Sequence, residues 1–185
     1  MRRPATTADL LNLSPEIAAE VVDGELVEKA APTFAHGRAQ LRLGTQVDSR
    51  FGGPPSGGTG GWWLGTEVDV EYETRETYRH DLVGWRRDRV PEEPRGRPVR
   101  IRPDWVCEIL SESNASTDTV KKLRGLHRHG VPHYWIVNPM EHTLLGLRWT
   151  QDGFLTVLTA ERGETVHAEP FEALDLSVGR IFGEE

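Results

Sequence analysis

The chain is poor in residues that cross-link, span membranes or coat polyanions. A single cysteine, Cys107, stands in 185 residues, so no internal disulfide can form. Its apolar neighbours make a small buried thiol the expected state, which points to a reducing cytoplasm. No apolar run is long enough to cross a bilayer, and the opening "MRRPATTADLLNLSPEI" has two arginines without a signal-peptide core, so neither export nor membrane insertion is expected. Lysine is scarce: Lys29, Lys121 and Lys122 stand against 19 arginines. With 29 acids and 22 bases the net charge is −7, which excludes a protein that coats nucleic acid along its whole surface and leaves room for a local basic patch. "GGPPSGGTGGWW" lacks the Lys-Ser/Thr that follows a phosphate-binding glycine loop, and no Gly-x-Ser-x-Gly elbow is present. His127 and His129 are two apart on a predicted helix and do not face one metal site.

What is present suits one soluble globular domain over residues 1–185: 37% hydrophobic and 28% charged residues, with six tryptophans. In "AEVVDGELVEK" the Asp23-Gly24 step predicts a two-residue hairpin turn. "FAHGRAQLRLGTQVDSRF", apolar at 34, 41, 43, 47 and 51, predicts an amphipathic helix. "WWLGTEVDVEYE" alternates acids with Val68, Val70 and Tyr72, the pattern of a half-buried strand with Glu67, Asp69 and Glu71 on a solvated face. "HDLVGW", "PDWVCEIL" and "VPHYWIVNP" predict further strands, and "RRDRVPEEPRGRPVRIRP" an arginine-rich loop. "SESNASTDTVKKLRGLHRHG" predicts a helix ended by Gly130. Short β segments follow to the C-terminus, so the class is α/β or α+β with a mixed sheet.

The stretch "PDWVCEILS" raises the chemical question. It reads as a buried strand, yet Asp104 and Glu108, four residues apart, point the same way, and burying an ionised carboxylate is costly unless it is paired or holds a metal. Glu108 joins Glu20, Asp81 and Lys122 as candidates for chemistry. Carboxylates on separate strands suit Mg²⁺ or Mn²⁺, and with a lysine nearby they suit phosphodiester cleavage. Each also has a plainer reading: Glu108 paired with an arginine, Glu20 as a hairpin flank, Asp104 as a cap of its strand, Lys121 and Lys122 on a solvated helix turn.

The residues "AEVVDGELVEKAAPTFAHGRAQLRL", "HDLVGW" and "PDWVCEILSESNASTDTVKKLRGLHRHGVPHYWIVNP", in that order, resemble the Uma-type family of restriction-endonuclease-like proteins. The resemblance spans residues 19–139. It implies a PD-(D/E)XK nuclease fold: a mixed sheet flanked by helices, with a metal site at the sheet's fork. Its acids fall on Glu20, Asp81 and Glu108, and its lysine on Lys122, displaced from the strand onto the following helix because Leu110 occupies the usual position. Departures are His80 in place of a proline, Ala19 in place of an aromatic, Glu112 in place of a proline and Leu126 in place of a tyrosine.

The resulting expectation is a Mg²⁺- or Mn²⁺-dependent DNA endonuclease. Asp81 and Glu108 would ligate the metal, Glu20 would add a ligand or orient water, and Lys122 would position the hydroxide. Arg86, Arg87, Arg89, Arg95, Arg97, Arg100 and Arg102 would contact phosphate or else form a solvated loop. Trp62 and Trp63 would serve a homodimer interface. Two rivals remain open: a catalytically silent binding or scaffold protein of the same fold, and a hydrolase of a small phosphodiester.

Overall fold

The computed structural model describes residues 3–14, 16–55, 60–111 and 117–184. A short helix α1 (Thr7–Leu11) precedes the hairpin β1 (Ala19–Val22) and β2 (Glu25–Glu28). The hairpin turns at Asp23 (φ 50°) and Gly24 (φ 76°), the left-handed pair that a two-residue turn requires. Helix α2 (Phe34–Phe51) begins where the Thr33 side chain accepts from the His36 amide. Its inward face is His36, Ala39, Leu43, Val47 and Phe51. The expected face is thus half right: Phe34 and Leu41 are 83% and 70% exposed.

Strands β3 (Trp62–Glu73) and β4 (Glu76–Arg86) form a long antiparallel pair. The central strand β5 (Trp105–Ile109) runs antiparallel to β4 and parallel to β6 (His133–Asn138). Its crossover contains a π-helical turn (Thr117–Lys122) and helix α3 (Leu123–Arg128). Strands β7 (Thr143–Thr150) and β8 (Gly153–Glu161) complete an eight-stranded mixed sheet ordered β2-β1-β4-β5-β6-β7-β8, with β3 on β4. A second sheet pairs β9 (Thr165–Val166) with β10 (Leu176–Ser177), followed by α4 (Val178–Ile181).

Every residue of β5 is buried because both faces are covered. Trp105, Cys107 and Ile109 pack towards α2, Phe171 and the C-terminal residues; Val106 and Leu110 pack towards Leu126 of α3, Tyr134 and Val99. The acidic row of β3 is not simply solvated as expected. Val99 bridges to Val70, and backbone hydrogen bonds join it to Asp69 and Glu71, so the arginine-rich loop closes over that edge and buries Asp69 between Arg79 and Arg97.

Strand β4 creates the feature that matters for function. Along one edge it pairs with β3; along the other it meets β1 at Thr77 and β5 only at Leu82, Val83 and Gly84. Residues 78–81 therefore lie in a fork between β1 and β5.

Candidate active site

A fork leaves backbone groups without ladder partners, and buried backbone groups need partners. Two carboxylates supply them. Glu20 on β1 accepts the Arg79 amide at 2.7 Å, and Asp81 on β4 accepts the Ile109 amide at 2.7 Å. The freed carbonyls are also met: Lys29 donates to Arg79 at 3.0 Å, and Gln40 of α2 donates to Asp81 at 2.8 Å.

Around this frame the four expected residues Glu20, Asp81, Glu108 and Lys122 all come to the fork, divided between two sides. On one side Lys122 Nζ stands 2.7 Å from Glu20 Oε1 and 3.2 Å from Glu108 Oε2. The His80 ring lies 2.6 Å from Glu108 Oε1 through Nδ1, and Tyr72 reaches its Nε2 at 2.8 Å. This side is sealed: Lys122 and His80 are 0% exposed and Glu108 is 1%. Burial holds the His80 ring far below its ordinary value, to about 3, with Lys122 adding to the effect, so the ring is neutral. The ring shares one hydrogen bond with Glu108 through Nδ1 and one with the Tyr72 hydroxyl through Nε2. Burial also drives the Glu108 carboxyl up, to about 8, and Lys122 offsets this only in part.

On the other side Asp81 faces Lys29 at 3.0 Å and His36, whose Nε2 lies 3.2 Å from Oδ2. Burial opposes the charge of Asp81, but the His36 hydrogen bond, Lys29 and the Ile109 amide outweigh it and hold the carboxyl well below its ordinary value. His36 is raised in turn, burial being outweighed by Asp81. This side opens into a cleft of about 210 Å³ lined by Lys29, His36, Gln40, Glu67, Asp81 and Ser111.

Lys29, His36, His80 and Tyr72 also come to the fork, though none was among the residues expected to carry chemistry. His80 was visible in the sequence only as a departure from the family pattern. Lys29 carries no local signal, because only the docking of the hairpin against β4 brings it to Asp81. Asp104 ties down the arginine loop: it accepts the Arg86 amide at 2.8 Å and Arg89 at 2.7 Å. Five of the seven candidate phosphate arginines are engaged within the chain: Arg86 with Asp88, Arg87 with the Trp62 and Gly52 carbonyls, Arg89 with Asp104, Arg97 with Asp69, and Arg100 with Glu71. The two tryptophans also turn inward. Trp62 is 7% exposed and packs on Phe171, and the half-buried Trp63 lies under Arg87 with its N–H on the Val90 carbonyl. Glu112 lies outside the described residues.

Glu20, Asp81 and Glu108 offer oxygen donors only, which fits a hard divalent cation rather than zinc. Glu108 Oε2 is buried and has Lys122 Nζ at 3.2 Å. Among the described residues no three or more His, Cys, Asp or Glu side chains are grouped to hold a metal; Lys122 stands between Glu20 and Glu108. The acids therefore suit a hard divalent ion in donor type, while their division between the two sides of the fork groups no three of them around one point.

Residues 7–179 match the family described as "Uma2: Putative restriction endonuclease", and the chain belongs to that family. No curated protein matches it. Among solved structures, the crystal structure of a "putative nuclease belonging to DUF820" from Anabaena variabilis superposes with a TM-score of 0.78 at 23% identity, covering 97% of this chain and 98% of that one. That likeness establishes the restriction-endonuclease-like fold. Among the described residues no helix is long and apolar enough to cross a membrane.

Proposed function

We propose that this protein is a Mg²⁺- or Mn²⁺-dependent nuclease that hydrolyses phosphodiester bonds in DNA. The observation that carries this reading is the delivery of Glu20, Asp81 and Glu108 to one fork by three different strands, beside a cleft that reaches Asp81. Membership in the family described as "Putative restriction endonuclease" supports it.

In the reaction a water oxygen bonds to phosphorus while one bridging P–O bond breaks. The water's proton passes to solvent, and the departing oxygen takes a proton from water. A divalent ion held at the fork acids, of which Asp81 faces the cleft, would acidify the attacking water and offset charge on the phosphate oxygens. Asp81 is kept ionised for that role by His36, Lys29 and the Ile109 amide. The neutral His80 ring orients Glu108. Glu20 and Lys122 bridge β1 to the π-helical turn, and Lys122 ties that turn to Glu108 of β5.

The test is incubation of supercoiled plasmid and of short single-stranded DNA with Mg²⁺ or Mn²⁺, beside Asp81→Asn and Glu108→Gln. Cutting by the wild type that both variants lose supports the proposal. A well-folded protein that cuts neither DNA in either metal contradicts it. The sealing of Lys122 between two of the acids favours a second reading, a silent binding protein of this fold. Tight DNA binding without cleavage would select it, and cleavage of model phosphodiesters but never DNA would select the small-substrate hydrolase.

A further inference from the structure

The resemblance places its lysine at Lys122, but the structure puts that ammonium out of a substrate's reach. Lys122 is 0% exposed, and two carboxylates flank it at 2.7 and 3.2 Å. A group that stabilises charge building on a phosphate must come within hydrogen-bond distance of its oxygens. Held between Glu20 and Glu108, Lys122 serves as their counter-charge, which is what makes two buried carboxylates tolerable.

A different lysine lines the cleft. Lys29 follows β2, and its amide donates to the Ala18 carbonyl, which extends the β1–β2 hairpin and aims the side chain into the fork. Its Nζ donates to the Arg79 carbonyl at 3.0 Å and to Asp81 Oδ1 at 3.0 Å. Its side chain is 14% exposed, and it borders the same 210 Å³ cleft as Asp81 and His36. An ammonium has three donors; these two contacts leave a third for a substrate oxygen.

We propose that Lys29, rather than Lys122, is the catalytic lysine of this protein: it donates to a non-bridging oxygen of the phosphate under attack while its bond to Asp81 fixes its position. This rests on the nuclease reading. The bond changes are those given above, and Lys29 keeps its proton throughout. Lys122 becomes a structural residue. The chain thus has a cleft lysine contributed by the hairpin, from a part of the sequence remote from the strand and helix positions where the fold's lysine is sought.

Two measurements decide it. The first titrates a short labelled duplex with wild type, Lys29→Met and Lys29→Arg in EDTA at several salt concentrations, read by fluorescence anisotropy, and follows plasmid cleavage in Mn²⁺ by the same proteins. Lys29→Met is expected to lower the slope of log affinity against log salt by about 0.9, one phosphate contact, and to lower kcat about a hundredfold. Lys29→Arg restores the slope and part of the turnover. A Lys29→Met protein with wild-type slope and turnover, while Asp81→Asn is inactive, overturns the lysine assignment and leaves the nuclease reading standing. A wild type that neither binds nor cuts overturns both. The second uses only the folded wild type: lysine acetylation is followed by mass spectrometry with and without the duplex, with Lys121, 45% exposed, as the internal reference. Protection of Lys29 by the duplex is expected, and equal labelling in both samples rejects the proposal even if the Met variant does not fold.

Discussion

The two sides of the fork are built from the same residue types and behave oppositely. Glu108 and Lys122 are sealed, with the carboxyl driven up by burial to about 8; Asp81 and Lys29 border a cleft, with the carboxyl held below its ordinary value. The difference is one of partners. Asp81 accepts a backbone amide, an imidazole and an ammonium, enough to offset desolvation, whereas Glu108 faces a neutral ring and shares its lysine with Glu20. The sealed side thus fastens strands and crossover together, and the cleft side keeps a charged acid and a fixed cation beside the cleft.

Lys122→Met should separate the sides most strongly. It leaves Glu20 and Glu108 buried without their cation, a loss of about 3–5 kcal/mol, measured by urea unfolding. Lys29→Met, whose partner Asp81 keeps His36 and the Ile109 amide, should cost about 1 kcal/mol.

The pH dependence should have opposite signs on the two sides. Asp81 has a depressed value, so its contribution is present above its unfolded value near 4 and is lost as pH falls through its lower folded value. Glu108 has a raised value, so stability is fully present below its unfolded value near 4.5 and is lost as pH climbs towards about 8. Urea midpoints against pH should therefore show a flatter acid limb for Asp81→Asn and a flatter limb between about pH 5 and 8 for Glu108→Gln. Parallel profiles for wild type and both variants would remove the distinction.

A smaller effect, about 1 kcal/mol, is expected for Tyr72→Phe, which removes the hydroxyl that bonds His80 Nε2. Smallest is Arg86→Ala. Its pair with Asp88 is exposed at both ends, 56% and 64%, and should contribute below about 0.5 kcal/mol.

Local signals explain how much of this was legible beforehand. The Asp23-Gly24 hairpin, α2 and the β3 boundaries follow from turn chemistry and periodicity, and the fork acids came from family resemblance. The burial of Asp69 was not legible, because it depends on Val99, about 30 residues later, laying a loop along β3. The α2 face was misjudged at Phe34 and Leu41, since periodicity gives a stripe but not which edge of it meets the sheet. Lys29 was invisible for the same reason: its role depends on where the hairpin docks against β4, which no local pattern encodes. Glu108 and Asp104, four apart, looked equivalent; only the long-range partners Lys122 and Arg89 separate a site residue from a loop tether.

The most direct test of this division is to measure unfolding midpoint and Mn²⁺-dependent plasmid cleavage on the same preparations of Asp81→Asn and Lys122→Met. The structure predicts that Asp81→Asn stays within about 2 kcal/mol of wild type and does not cut, while Lys122→Met is the less stable by a clear margin. An Asp81→Asn protein that cuts like wild type, or a Lys122→Met protein as stable as wild type, would contradict it.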